Sequence, residues 1–127
     1  MKERLRILRD SGVISKDDHD KSFEIYKKYF EKEGFDEDKV NVFMTHLAMS
    51  LKRINEGNIV DKLDDEIYQQ VKESEVYDKA VKLCDEIIEN LYLDIPESEK
   101  EYLVLHLGNL LMERVYSNEN CNRRTDR

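Results

Sequence analysis

The sequence predicts an all-α domain, a single bundle of five to six helices. Chain breakers are rare: the 127 residues include 4 Gly and 1 Pro, too few turn signals for a sheet, which needs many turns. Apolar residues make up 39% of the chain, enough for one core, and they recur at the three- and four-residue spacing of helices. The length is typical of one domain.

A central helix is predicted for residues 38–57, near the middle of the chain. Asp36 or Asp38 is suited to cap the start of this helix, and Gly57 supplies the left-handed residue that ends it. Its apolar residues form one stripe, which consists of Val40, Phe43, Met44, Leu47, Leu51 and Ile54.

A histidine lies beside that stripe. At about 100° per residue, His46 falls on the flank of the helix, with Ser50 and Arg53 stacked along the same side. Val42 and Met49 lie further round, on what should be the polar side. A helix that is apolar on more than one face is central in a bundle or lies at a subunit contact.

Two helices are expected before this central helix. The first covers residues 2–10 and ends at Gly12. Ser15 and Asp18 have the spacing of a capping box, with Asp in place of Glu, and begin the second helix, which ends at Gly34.

Three helices are expected after the central helix. Asp64 or Asp65 opens a short one, and Ser74 caps the next, whose apolar stripe includes Cys84. Pro96 fits the first turn of the last helix. The residues expected in the core are Leu47, Leu51, Ile87, Ile88, Leu107 and Leu111.

The last helix is apolar almost all round and is expected to continue to Val115. The composition then turns polar. The sequence therefore predicts a helical domain over residues 1–116 and a disordered tail over residues 117–127.

Charge and composition exclude several classes of protein. A net charge of −8 argues against direct nucleic-acid binding, which needs a basic surface. No apolar run is long enough to span a membrane, and the charged start is not a signal peptide, so a cytoplasmic location is expected. Cys84 and Cys121 do not make a disulfide framework, and Cys84 is expected to be a buried thiol.

His46 and His106 each lie amid a mostly apolar helix, whereas His19 lies among acidic residues and is expected to be solvated. Metal binding is disfavoured, because zinc needs three or four ligands and the chain has no His-Glu-x-x-His spacing. No cofactor is predicted. Nucleophilic catalysis is disfavoured too, because no strained nucleophile turn is present. A neutral imidazole can instead accept a phosphoryl group, with Arg53 and Ser50 placed to hold it beside His46.

Two segments carry a family resemblance. Met-Thr-His46-Leu-Ala-Met-Ser-Leu-Lys-Arg53 and Ile-Pro96-Glu-Ser-Glu99-Lys-Glu-Tyr-Leu-Val-Leu-His106-Leu resemble the two histidine motifs of the PTS regulation domain (PRD). This is the phosphorylation-responsive helical module of bacterial antiterminators and related activators. Histidine spacing and helix order fit as well. Thr45 stands where the commonest form has an acidic residue.

The resemblance implies a five-helix bundle that often dimerises and that receives phosphate from HPr or from an EIIB protein of the phosphotransferase system. His46 and His106 would be the phosphoacceptors, with Arg53 and Ser50 supporting and Glu99 orienting rather than reacting. A single copy with no effector module is expected to modulate transcription or antitermination through a partner, and not to be an enzyme.

A phosphate is expected to be more stable on His46 than on His106, where Glu99 and Glu113 should repel it. The rival interpretation is a dimerising interaction module in which the histidines serve only in packing, and Thr45 favours it slightly.

Overall fold

Helices account for most of the chain in a computed structural model. The structure describes the backbone of residues 2–58 and 60–125, and the side chains of residues 3–58 and 60–112. Within those ranges there is no strand, which confirms the all-α prediction. The six helices are α1 (Lys2–Asp10), α2 (Lys16–Tyr29), α3 (Glu37–Asn55), α4 (Asp65–Lys72), α5 (Tyr77–Leu91) and α6 (Glu97–Thr125).

Side-chain caps begin three of these helices where the sequence predicts them. The backbone N–H of Asp18 donates to Oγ of Ser15 at 3.0 Å, which completes the predicted capping box at α2. Asp36 accepts from the backbone N–H of Lys39 at 3.1 Å and begins α3. Asp64 caps α4 in the same way. These bonds satisfy backbone donors that have no partner inside the helix.

The start of α5 differs from the prediction. Its N-cap residue is Val76, which makes no side-chain cap; Ser74 lies two residues earlier and accepts from the backbone N–H of Val76. The helix ends at Tyr92, which adopts a left-handed conformation with φ 54°, whereas Gly57 takes that conformation after α3 as predicted. The residue directly after Leu91 is not glycine, so an aromatic residue takes the left-handed conformation there at a cost in backbone strain.

The core lies between α3, α5 and α6, and α3 also contacts α1 and α2. Of the residues predicted to be buried, Leu47, Leu51, Ile87 and Leu107 lie fully inside. The prediction was too strong for Ile88 and Leu111, which pack against the core from its edge and are partly exposed. The thiol of Cys84 is buried as predicted, and burial raises its pKa to about 12.

A smaller apolar cluster joins α1 to the outer face of α3. Leu5 and Ile14 pack on Ala48, with Met49 partly buried against them. Met49, predicted to be available for a subunit contact, is therefore partly covered by the chain itself. Val42 remains 51% exposed.

The last helix runs to Thr125, beyond the end predicted near Val115. Residues 116–125 include neither Gly nor Pro, and extending an existing helix adds one hydrogen bond for each residue that is fixed. The domain boundary at residue 116 stays a prediction. Within the part of the chain that the structure describes, no helix is both long enough and apolar enough to cross a membrane.

Candidate functional site

The packing of α3 against α6 brings the two predicted acceptor histidines together. The ring centroids of His46 and His106 lie 4.7 Å apart, with an angle of 52° between the ring planes. Tyr102 also contacts His46, at 5.7 Å between centroids. Tyr102 and His106 are four residues apart on α6, so both face the same side of that helix.

Burial keeps both imidazoles neutral. It is the largest cause that lowers the pKa of His46, to about 4; His106 adds to the effect, Glu99 opposes it, and Arg53 adds to it. Burial also lowers the pKa of His106. At pH 7 each ring therefore has a nitrogen lone pair that is not protonated.

One nitrogen of this pair is closed off from solvent. Nε2 of His46 is buried and has no hydrogen-bond partner among the described residues. Oγ1 of Thr45, the residue before it, is also buried without a hydrogen-bond partner among the described residues. Unpaired buried polar atoms are uncommon and costly, and they occur where function or strain requires them.

An ion pair lies close to the histidines. Nη2 of Arg53 donates to both carboxylate oxygens of Glu99, at 2.9 and 3.1 Å, and to Oγ of Ser50 at 3.2 Å. Glu99 is completely buried and Ser50 is 1% exposed, whereas Arg53 retains some contact with solvent. The guanidinium is therefore the partner that neutralises a buried carboxylate.

This arrangement adds a partner for Glu99 that the sequence did not predict. The sequence places Glu99 on the same face of α6 as His106, and its carboxylate also bonds to Arg53 on α3. The predicted proximity of His106 to Glu113 lies outside the described side chains. Ser50 and Arg53 are neighbours as predicted, joined by a hydrogen bond.

The third histidine does not belong to the site. His19 lies on α2, with Nδ1 2.9 Å from Oδ1 of Asp20 and its ring stacked on Phe23. Its side chain is 13% exposed, which is more enclosed than the solvated position predicted. Among the described residues, no group of three or more His, Cys, Asp or Glu side chains is placed to hold a metal ion.

The fold and the site together define a small helical domain with a neutral histidine pair between two of its central helices. Residues 20–110 match the PRD domain. That match covers most of the chain, and the chain belongs to the PRD domain family. PRD domains are regulatory modules controlled by phosphorylation through the phosphotransferase system.

Two relatives are similar over much of the chain. "Uncharacterized protein YhfY" of Escherichia coli (strain K12) is 27% identical over 115 residues, which are 88% of this chain and 95% of that protein. An "Uncharacterized protein" of Haemophilus influenzae (strain ATCC 51907 / DSM 11121 / KW20 / Rd) is 24% identical over 76 residues. That match covers 60% of this chain and 61% of the relative. No solved structure is significantly similar to the chain.

Proposed function

We propose that this PRD domain accepts a phosphoryl group on His46 or His106 from HPr or an EIIB protein. It then modulates transcription or antitermination through a partner. The observation that carries the proposal is the contact of two neutral imidazoles, 4.7 Å apart, beside a guanidinium group. Neutral imidazole supplies the nucleophile, and a guanidinium is the side chain best suited to bind a phosphate.

The transfer needs no group beyond the donor and the acceptor ring. The lone pair of an imidazole nitrogen attacks phosphorus, the bond from phosphorus to the donor breaks, and the donor keeps that electron pair. The proton on the other ring nitrogen can then leave to solvent. Low pKa values favour this reaction, because a protonated imidazole has no lone pair to offer.

The signal arises from a change of charge at the contact between α3 and α6. A phosphoryl group adds close to two negative charges beside Glu99, which is already buried and paired with Arg53. Phosphate and Glu99 then compete for Arg53. Since a buried carboxylate without a partner is costly, the helix packing must adjust, and a partner or a second copy of the chain can read that adjustment.

A second function has its own support. Arg53 is bonded to Glu99 and Ser50, and Nε2 of His46 is enclosed. Both features suit an interaction module whose histidines only pack. In that case the domain dimerises and binds its partner without accepting phosphate.

Labelling separates the two functions. The protein is incubated with HPr, enzyme I and phosphoenolpyruvate, or with a phosphorylated EIIB, and digested with trypsin under conditions that preserve phosphohistidine. Cleavage after lysine and arginine leaves His46 in the peptide of residues 40–52 and His106 in that of residues 101–114. Each of these peptides contains a single histidine, so mass spectrometry assigns the site directly.

We expect label on the peptide of residues 40–52, absent in His46→Ala. His19→Ala is the matched control, because His19 lies outside the site, and it should label like the wild type. If neither peptide is labelled by HPr or by the EIIB, the phosphoacceptor function is wrong and the interaction module stands.

A further inference from the structure

The two candidate acceptors touch each other. The rings of His46 and His106 are 4.7 Å apart between centroids, and both side chains are half-buried at the contact of α3 with α6. A phosphoryl group on either ring therefore lies next to the other ring. The two rings therefore share the space at this contact.

The charge that can hold a phosphate is also limited. Among the described residues, Arg53 is the cation that acts on His46, and Glu99 already binds it through both oxygens. For His106, burial is the cause that lowers its pKa, and no cation among the described side chains contributes to that shift. One guanidinium, shared with a buried carboxylate, is enough for one phosphate and insufficient for two.

We propose that His46 and His106 form one phosphate site that holds a single phosphoryl group at a time. This rests on the proposed phosphoacceptor function. Each phosphoryl group carries close to two negative charges, and two of them at neighbouring rings repel each other in a partly desolvated space. At a separation of roughly 6 Å, this repulsion disfavours the second phosphate by about a hundredfold or more.

Single occupancy determines how the domain responds to more than one donor. A chain phosphorylated on one histidine is refractory to a donor that acts on the other. Two donors therefore compete for one position, and their signals do not add. The state of the domain reports which donor arrived first and how long its phosphate lasts.

The test counts phosphoryl groups on each intact chain. Wild type, His46→Gln and His106→Gln are each labelled to completion with an excess of the phosphodonor, and native-condition mass spectrometry measures the number of groups. Glutamine keeps a polar side chain of similar reach but has no acceptor nitrogen. His19→Gln is the matched control outside the site. Circular dichroism confirms that each variant is folded.

The expected result has three parts. Each single variant accepts one phosphoryl group on its remaining histidine, and the wild type also stops at one group, distributed between the two peptides. Doubly phosphorylated wild type stays below roughly one hundredth of the singly phosphorylated form, as the charge repulsion requires. His19→Gln behaves like the wild type.

Other outcomes overturn the proposal in distinguishable ways. Wild type that accumulates two groups shows independent sites. A single variant that is folded but never labelled shows that only one histidine is an acceptor, so no site is shared. Absence of label on all four proteins refutes the phosphoacceptor function itself.

Discussion

Arg53 on α3 and Glu99 on α6 form an ion pair in which both carboxylate oxygens accept from the guanidinium, with the shortest bond at 2.9 Å. Glu99 has no exposed surface, and Arg53 is the cation that pairs with it among the described side chains. The pair joins the two helices that carry the histidines. Stability and the proposed phosphorylation signal therefore depend on the same contact.

Removing the cation should destabilise the fold strongly. Arg53→Ala leaves the carboxylate of Glu99 buried without a partner, and we expect a loss of roughly 3–5 kcal/mol in the free energy of unfolding. Urea denaturation followed by circular dichroism measures it. The double variant Arg53→Ala with Glu99→Gln should recover much of the loss, since a neutral amide is easier to bury. Arg6→Ala, at an exposed ion pair, is the control with little effect. Equal losses in the single and double variants would contradict the prediction.

Stability should fall in mild acid because His46 resists protonation in the folded state. Its pKa is lowered from 6.5 to about 4, so between those values the unfolded chain binds more protons than the folded chain. The contribution of His46 to the free energy of unfolding is therefore at its maximum above about pH 6.5 and decreases as the pH falls toward 4. The expected loss from His46 between pH 7.5 and pH 5 is about 2 kcal/mol, and His106 shifts in the same direction.

Urea titrations at the two pH values measure this dependence. His46→Gln should reduce the difference between them, whereas His19→Gln, outside the site, should reduce it less. A pH dependence that is unchanged in His46→Gln would show that this histidine titrates normally in the folded protein.

The position of Leu107 in the core allows a simple test of which face of α6 packs against the core. Leu107 is completely buried, and Leu107→Ala should cost roughly 2–5 kcal/mol through lost burial and the cavity that remains. Met112, on the same helix, is 39% exposed, and Met112→Ala should cost clearly less. Chemical denaturation of the two variants compares them directly. Equal costs would mean that the face of α6 is assigned wrongly.

Association should depend on apolar surface that the fold leaves uncovered. Val42 is 51% exposed on α3, and Ile67 and Met112 are also exposed near α6. We expect a symmetric dimer in sedimentation velocity at micromolar concentration, weakened by Val42→Asp if α3 forms the contact. Ile67→Asp tests the other face. A protein that remains monomeric before and after phosphorylation would rule out the dimer.

Local signals in the sequence predict the helices well because they act over a few residues. The capping box at Ser15 and the cap at Asp36 depend on bonds within one turn, and the end of α3 depends on Gly57 alone. The choice of His46 and His106 as candidate acceptors also follows, through the family resemblance, although their contact does not. These features need no knowledge of how the helices pack.

Contacts between distant segments are harder to predict. Arg53 and Glu99 are 46 positions apart, and their bond depends on the rotation of α3 against α6, which helical periodicity does not determine. The same holds for Asp18, which caps α2 and also accepts from Nδ2 of Asn55 at 2.7 Å. Each residue was recognisable locally, but its partner was not.

The enclosure of Nε2 of His46 has a kinetic consequence. Under the proposed phosphoacceptor function, a donor reaches that nitrogen only in molecules in which the contact of α3 with α6 around His46 has opened, so the rate of transfer to it is the rate in the open state multiplied by the open fraction. A donor that binds tightly elsewhere gains nothing unless it favours the open molecules. Substitutions that loosen this helix contact should therefore speed transfer even when they touch neither histidine, and a bound partner that clamps the helices should slow it.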